Sequence, residues 1–312
     1  MALSLCSVQG DAPAKTDHSH PAALSLKETI FHGTATFPAA AYDDDIAAQD
    51  VLWHWHEEFE TGIITAGSVR VSIAHHTAVL AKGDGFFINS GILHAMENAC
   101  PGQPAALRSI VYHGSLVGGA AGSVYDTHYV LPLLKSSLRE LILHPWCEDD
   151  APMLACIRAA WRAMADDDGD FPLTVRDELS RLSALLIAQL NNAPVQNGVS
   201  PVQEERAQVM LAFLHRHYGE SVTLADIAAA ASVSVNEALR CAKQVLGLSP
   251  IQYLKKYRLA RAAQQLRETT SPIADIASAC GFPDGSYFAK SFREIYGVPP
   301  KAYRKEKEYG TI

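Results

Sequence analysis

Ala225-Asp226-Ile227-Ala228, followed by Gly247-Leu248-Ser249-Pro250-Ile251-Gln252-Tyr253, decides the reading of the fold, because the chain says it twice. Ala274-Asp275-Ile276-Ala277 leads in the same way to Gly297-Val298-Pro299-Pro300-Lys301-Ala302-Tyr303, an offset of 49 to 50 positions. Two copies make a duplicated unit and not a solenoid. Each copy reads as two short helices around a tight turn. In the first, Thr223 is placed to cap a helix with Asp226 in its positive first turn. The alanines at 228–231 keep that helix thin, so a second can pack closely. Ser232-Val233-Ser234 forms the turn, Ser234 caps a helix over 235–246, and Gly247 ends it. Ser249-Pro250 opens a longer helix to about 268. In the second copy Pro272 stands near a helix start, Gly281-Phe282-Pro283-Asp284 forms the turn, and Asp284 caps a helix to about 296. Such a pair suits two successive major-groove segments of one duplex, about 34 Å apart.

The second copy carries a dense set of fixed spacings: Ile276-Ala277, Gly281-Phe282, Ser286-Tyr287-Phe288, Phe292-Arg293, Tyr296-Gly297, Pro300 and Tyr303. On these residues the segment 215–305 resembles the AraC/XylS family of bacterial transcription regulators. The resemblance implies a seven-helix module with two recognition helices. It places Asn236, Leu239 and Arg240 at the DNA in the first helix, with Lys243 a turn on, and Gly285, Ser286, Ala289 and Lys290 in the second, with Arg293. Chemically, Arg240 can fork onto guanine O6 and N7 and Asn236 can pair with adenine N6 and N7, while Gly285 and Ala289 are too small for polar readout. The second helix is therefore expected to position more than it specifies. For any one of these residues the competing reading is an ordinary solvated helix face. Phe288 and Phe292 recur at i, i+4 and read as core, as do Tyr253 and Tyr303. The first copy has only Ala238, Cys241 and Ala242 where large apolar residues are usual, so its core reads as thin.

Composition agrees with a split molecule. Of the 312 residues, those from 204 onward carry a net charge of +4 and those before it −12. A basic tail on an acidic body suits a module that meets an anionic polymer, although +4 is also ordinary for that length. The six cysteines are dispersed and none forms a Cys-x-x-Cys pair, which removes zinc-ribbon and redox-motif readings. No long apolar run reads as a membrane span, so a cytoplasmic location without membrane contact is expected.

Between 28 and 115 the pattern is strand-like. Val69-Arg70-Val71-Ser72-Ile73 alternates with period two, and Gly83-Asp84-Gly85 and Asn89-Ser90-Gly91 are turn signals. His54-Trp55-His56-Glu57-Glu58-Phe59-Glu60, with Gly67 and then Gly83, Asn89, Gly91, His94 and Asn98, resembles the two cupin motifs, with Asn89 where proline is usual. Strand alternation would put His54, His56, Glu58 and Glu60 on one face, and His94 could join them from a neighbouring strand. Three imidazoles and a carboxylate suit a divalent metal held by His54, His56, Glu60 and His94. The same groups, with Arg108, could instead hydrogen-bond a sugar or small acid, or form a structural cluster. Trp53, Trp55 and Phe59 face the other way and read as packing.

After 129 the period becomes helical. Leu131, Leu134, Leu138 and Leu141 are spaced by three or four, as are Leu179, Leu182, Leu186 and Leu190. These are expected to form a dimer seam, with a helical cover over the barrel as the alternative. The expected organisation is α+β: a flexible stretch at 1–27, a cupin-like β-barrel (a double-stranded β-helix) with flanking helices over 28–190, a linker at 191–205, and an all-α module with two helix-turn-helix units over 206–306. The function read from this is a sequence-specific DNA-binding regulator, acting as a homodimer, whose barrel senses a small molecule. Activation and contact with RNA polymerase are what the resemblance implies. The rivals are a metal-dependent cupin enzyme, an oxygenase or isomerase, fused to a DNA module, and a constitutive regulator whose barrel only dimerises.

Overall fold

The computed structural model describes residues 32–73, 76–166, 169–190 and 200–309. The stretch expected to be flexible (1–27) and most of the expected linker lie outside the described residues. The last part of that linker is helical, because Ser200 caps a helix that begins at Pro201.

The N-terminal half has eight strands among the described residues: β1 Ala39–Asp45, β2 Val51–His54, β3 Phe59–Ile73, β4 His76–Ala81, β5 Gly85–Ile88, β6 His94–Asn98, β7 Ala105–Tyr112 and β8 Glu140–Leu143. β3 is fifteen residues long and serves two layers. Its first part pairs antiparallel with β5 and β7, and its last part with β4 and β6. A register shift between Ile64 and Ala66 marks where it passes from one to the other, as a bulge bends a strand and changes its partners. Gly67, at φ +59°, sits at this bend, where an added Cβ would meet the Pro104 carbonyl oxygen at 1.7 Å. The alternation over 69–73 holds, with Val69, Val71 and Ile73 all buried.

The cupin-like sheet half is present as expected, but among the described residues its strands do not close into a ring. β1, β7, β3, β5 and β8 run in one row, and β2 is reached only through β6. β2 has four residues and only two registered partners, Val51↔Met96 and His54↔His94, with an irregularity between them. So short a strand cannot zip the layers into a ring.

The second leucine series covers the sheet, while Leu134 of the first series stays exposed. After α1 Ser115–Gly118, a π-helical turn Asp126–Val130 runs into α2 Leu131–Lys135, and α3 Ala151–Asp166 and α4 Phe171–Leu190 follow. Leu179, Leu182 and Leu186 are completely buried, packed with Met153, Leu154 and Ile157 against Ile63, Phe87, Ile110 and Tyr112 of the sheet. Their apolar face is used within the chain. Leu141 lies in β8 and not in a helix, so the first leucine series spans two kinds of element.

The C-terminal half is all helical: α5 Pro201–His217, α6 Leu224–Ala230, α7 Val235–Leu246, α8 Pro250–Glu268, α9 Ile273–Ala279, α10 Gly285–Tyr296 and α11 Pro300–Tyr309. The caps fall where expected. Thr223, Ser234, Ser249 and Asp284 each accept from backbone N–H groups of the helix they open, and Gly247 and Gly297 close α7 and α10 in the left-handed conformation. The two units share α8. Arg258 on α8 donates to the Tyr218 carbonyl at 2.7 Å, and Gly281 approaches so closely that a Cβ there would meet the same oxygen at 2.5 Å.

Candidate functional site

Two sites emerge, one in each half. In the sheet half, His54 ends β2, His94 opens β6 directly across from it, Glu60 is the second residue of β3, and His56 lies in the turn between β2 and β3. The four come together from three strands and a turn: His94 joins from a neighbouring strand as expected, but His54, His56 and Glu60 do not share one alternating strand. His56, Glu60 and His94 are buried and His54 is half-buried. One ligand atom from each lies within 4.8 Å of the others. Atoms held about 2.1 Å from a common ion lie at most about 4.2 Å apart, so a slight contraction would complete a coordination sphere. A metabolite needs a cavity of about 300 Å³ or more, far beyond the gap between these atoms.

The orientation of the rings is fixed by backbone. Nδ1 of His54 donates to the Leu52 carbonyl at 2.8 Å, Nδ1 of His56 to the Glu58 carbonyl at 3.1 Å, and Nδ1 of His94 to the Ile92 carbonyl at 2.8 Å. A carbonyl can only accept, so each Nδ1 carries a proton and each Nε2 is turned inward. Metal-binding histidines are commonly held in this way, with a carbonyl accepting from the ring nitrogen that points away from the ion. Glu60 Oε2 stands 2.9 Å from His94 Nε2 and 3.5 Å from His56 Nε2. Burial pushes the Glu60 carboxyl up, but the imidazoles of His56 and His94 outweigh it and hold it well below the usual carboxylate range. A carboxylate facing three inward-turned imidazole nitrogens needs a positive charge between them, from a proton on Nε2 or from a metal ion. A proton would serve one pair of atoms, whereas a divalent ion would serve all four donors.

Other expected members lie elsewhere. Glu58 is outside the cluster, its carboxylate 3.7 Å from His56 Nδ1. Arg108 is the register partner of Ile63, whose side chain belongs to the helix-covered side of the sheet. It stacks 4.0 Å over Trp161, pairs with Asp43 at 3.1 Å, and lines a cleft of about 290 Å³ with Lys82, Arg158 and Thr65. Arg108 therefore does not join the histidines. Sequence reasoning missed His32 and the role of Asn89. His32, buried, places its ring 5.2 Å from that of His56 and bonds the Tyr42 hydroxyl at 2.7 Å. Asn89, the departure from the cupin pattern, ties two backbone carbonyls, Leu133 at 2.8 Å and Leu138 at 2.7 Å. Nothing local in the sequence announces either partner.

In the helical half, Asn236, Arg240 and Lys243 lie exposed along α7 with Leu239 half-buried, and Gly285, Ser286, Lys290 and Arg293 lie exposed along α10 with Ala289 half-buried. Phe288 and Phe292 are in the core, as their spacing predicts. Arg240 has a partner that the sequence did not disclose. Its guanidinium forks onto Glu237, Nε to Oε2 at 2.9 Å and Nη2 to Oε1 at 2.8 Å, and Arg206 holds the same carboxylate at 3.0 Å. Arg240 must leave Glu237 to read a guanine. His215 on α5 is buried against Tyr257 at 3.9 Å and accepts from the Tyr253 hydroxyl at 2.5 Å. Burial, helped by Arg261, pushes its pKa down to about 3, so it stays neutral.

The thin core of the first unit is completed from outside. Ala238, Cys241 and Ala242 pack with Ala207, Met210, Leu211 and Leu214 of α5, in one cluster with Trp53, Leu93 and Ala95 of the sheet half. Lys256 on α8 meets Glu97 of β6 at 2.7 Å.

Comparison with known proteins gives matches to both halves. A family model described as an AraC-like ligand binding domain matches residues 39–200, and one described as a helix-turn-helix domain matches residues 227–306. The chain is 25% identical over 288 residues to an uncharacterized HTH-type transcriptional regulator, YdeC, of Bacillus subtilis, spanning 90% of this chain and 96% of that protein. It is 29% identical over 143 residues to the HTH-type transcriptional activator RhaS of Escherichia coli, 46% of this chain and 50% of that one. Among solved structures, an AraC-type DNA-binding regulator from Chromobacterium violaceum covers 36% of this chain and 99% of its own at 28% identity and a TM-score of 0.34. An apo ToxT variant from Vibrio cholerae covers 88% and 98% at 12% identity and a TM-score of 0.44. Among the described residues no helix is long and apolar enough to cross a membrane.

Proposed function

Because the chain belongs to the AraC family of transcription regulators, with a ligand-binding half before a helix-turn-helix half, we propose that it reads its operator through α7 and α10 and adjusts occupancy through its sheet half. The base-facing set is Asn236, Leu239, Arg240 and Lys243 on α7, and Gly285, Ser286, Ala289, Lys290 and Arg293 on α10. The observation that carries this is that both capped helices turn their polar faces to solvent while α8 braces the pair: Lys255 reaches Glu294 of α10 at 3.4 Å, and Leu254 shares the core of α7. Readout is weighted toward α7, since Arg240 and Asn236 can each address two atoms of one base edge, whereas α10 offers a small face with Lys290 and Arg293 for phosphates.

Relatives that match over most or half of their length are transcription regulators. The closure of His56, Glu60 and His94 from solvent supports a held signal more than a turning-over substrate, which disfavours the enzyme reading. The test is to select the operator from random DNA and measure Arg240→Ala against it. Specific affinity is expected to fall by about 1–3 kcal/mol with relaxed choice at one base pair. Unchanged affinity and preference would remove α7 from the readout.

A further inference from the structure

A barrel-like half commonly holds a ligand between its layers. In this chain that space is filled by side chains. Ile64, Val71, Phe86, Ile88, Met96 and Leu107 pack there in one cluster, each exposed by 1% or less. Room exists instead on the helix-covered side. The cleft of about 290 Å³ opens where α3 crosses β3, β7 and the turn between β4 and β5. Its size matches the lower end for small-molecule sites, about 300 Å³.

The lining of this cleft gathers positive charge. Residues 1–203 hold eleven Lys and Arg and carry a net charge of −12. Four of the eleven, Lys82, Arg108, Arg158 and Arg162, line the cleft, and among the described residues no Asp or Glu lines it. Only Arg108 of the four meets a carboxylate among the described residues, Asp43 at 3.1 Å. Arg158 and Arg162 stand one turn apart on α3, a spacing at which like charges oppose the helix. Arg158 is steadied by donating to the Gly83 carbonyl at 3.3 Å, which leaves guanidinium donors over.

The remaining wall is apolar and fixed. Ile63 and Ile157 are buried. Trp161 donates through Nε1 to the Tyr42 carbonyl at 3.0 Å, and Arg108 lies 4.0 Å over its ring. An apolar floor rimmed by three cations without carboxylate partners suits an anion that has a carbon body.

We propose that this cleft binds a small organic oxyanion with at least two negative charges, a polycarboxylate or a phosphate ester. Its charged groups lie among Lys82, Arg158 and Arg162, and its carbon body lies on Ile63, Ile157 and Trp161. A guanidinium fork matches the paired oxygens of either group, and Lys82 adds a point charge. The inference rests on the ligand-binding reading of the sheet half and names the ligand class. The site is separate from the histidine–glutamate cluster.

The experiment titrates the full chain by calorimetry, at constant ionic strength, with citrate and with glucose 6-phosphate. Glucose serves as the uncharged body and inorganic phosphate as the bare anion. Citrate or glucose 6-phosphate is expected to bind at one equivalent, and glucose not at all. Binding of citrate alone assigns a polycarboxylate. Binding of glucose 6-phosphate more tightly than inorganic phosphate assigns a phosphate ester. Lys82→Gln and Arg162→Gln, both at exposed positions, should each weaken binding roughly tenfold. Arg181→Gln, on α4 and outside the lining, should leave it unchanged. The proposal is overturned if neither anion binds, or if binding survives both substitutions in the cleft. It is overturned too if Arg181→Gln weakens binding equally, or if inorganic phosphate binds as tightly as the ester, since either result describes an unspecific ion site. Operator selection is run without these anions, so the regulator reading stands or falls separately.

Discussion

The two helix-turn-helix units solve the same packing problem with opposite means. At an offset of 50 positions, Ala238 and Ala242 of α7 stand where α10 has Phe288 and Phe292. All four are buried to within 1% of complete. The second unit fills its core with its own rings: Phe282, Phe288 and Phe292 pack with Tyr296 and Tyr303, Phe292 at 4.5 Å from Tyr296. The first has methyl groups there and takes its volume from α5 and from Trp53, Leu93 and Ala95 of the sheet half. The second unit meets the sheet half through polar ties, Tyr303 donating to the Ala48 carbonyl at 3.2 Å, whereas the first shares an apolar core with it. The small residues of α7 therefore leave room for side chains of the sheet half to share the core of the first unit.

The largest effect that tests this contrast is Phe292→Ala. It empties a ring from the self-filled core and should cost about 3–5 kcal/mol, read as a loss in urea midpoint. The exchange protection of α9 to α11 should collapse while that of β2, β6 and α5 is retained. Equal loss in both regions would show that the units are one cooperative block and would break the comparison.

A pH experiment separates the units next, because only the first has a buried imidazole among its described core residues. The folded pKa of His215 is lowered to about 3. Its contribution is present above the unfolded value of about 6.5 and is lost as pH falls toward 3, at up to about 1.4 kcal/mol per unit. Asp50 opposes it. Burial and the nearby Glu97 raise its pKa to about 6, so the folded state takes up that proton first and gains stability as pH falls from 6 toward 3.8. In the unsubstituted chain the two slopes largely cancel between pH 6 and 5. In His215→Phe only the Asp50 slope is left, and the urea midpoint should rise on acidification by the equivalent of about 1 kcal/mol. Parallel curves for the two proteins would remove His215 as the acid-sensitive group of the first unit.

A smaller difference concerns the reading faces. Glu237 in α7 has Tyr287 as its counterpart in α10, so only the first unit pairs its central cation with an acid one turn away. Exposed pairs of this kind are worth about 0.2–1 kcal/mol. Glu237→Gln should therefore strengthen DNA binding no more than about fivefold, with a steeper salt dependence, measured by fluorescence anisotropy over a range of potassium chloride. A weaker complex would show instead that Glu237 holds Arg240 in its reading position.

How far all this could be read in the sequence follows from what each feature depends on. The caps Thr223, Ser234, Ser249 and Asp284, the closing glycines and the core phenylalanines are set by neighbours a few positions away, and the pattern gives them directly. The four donors were also nameable, because their spacing resembles a known motif. Their assembly was not: His54, His56 and Glu60 were expected on one alternating strand, but the chain turns at 55–58 and three strands converge. Arg108 was misplaced because face depends on register, and its partner Ile63 belongs to the helix-covered side. The leucines of α4 gave an apolar stripe without saying what covers it, and the sheet half proved to be the answer. Glu237's hold on Arg240 joins an acid that reads as an ordinary first-turn residue to a base expected to face DNA, and no pattern ranks that contact above solvent.

The finest test of the comparison lies at the turns. Ser232 has φ 54°, the only positive φ outside glycine among the described residues, while the matching turn of the second unit has Gly281 at φ 77°. A side chain in the left-handed region costs about 1–2 kcal/mol, and glycine regains part of that while losing some to the freer unfolded chain. Ser232→Gly should therefore stabilise by about 0.5 kcal/mol, seen as a slightly higher urea midpoint. Gly281→Ser should not be its mirror image, because a Cβ at 281 meets the Tyr218 carbonyl at 2.5 Å and Arg258 at 2.9 Å, whereas Ser232 is exposed. If both substitutions instead move stability by similar amounts in opposite directions, the turns are interchangeable, and what distinguishes the units is confined to their cores.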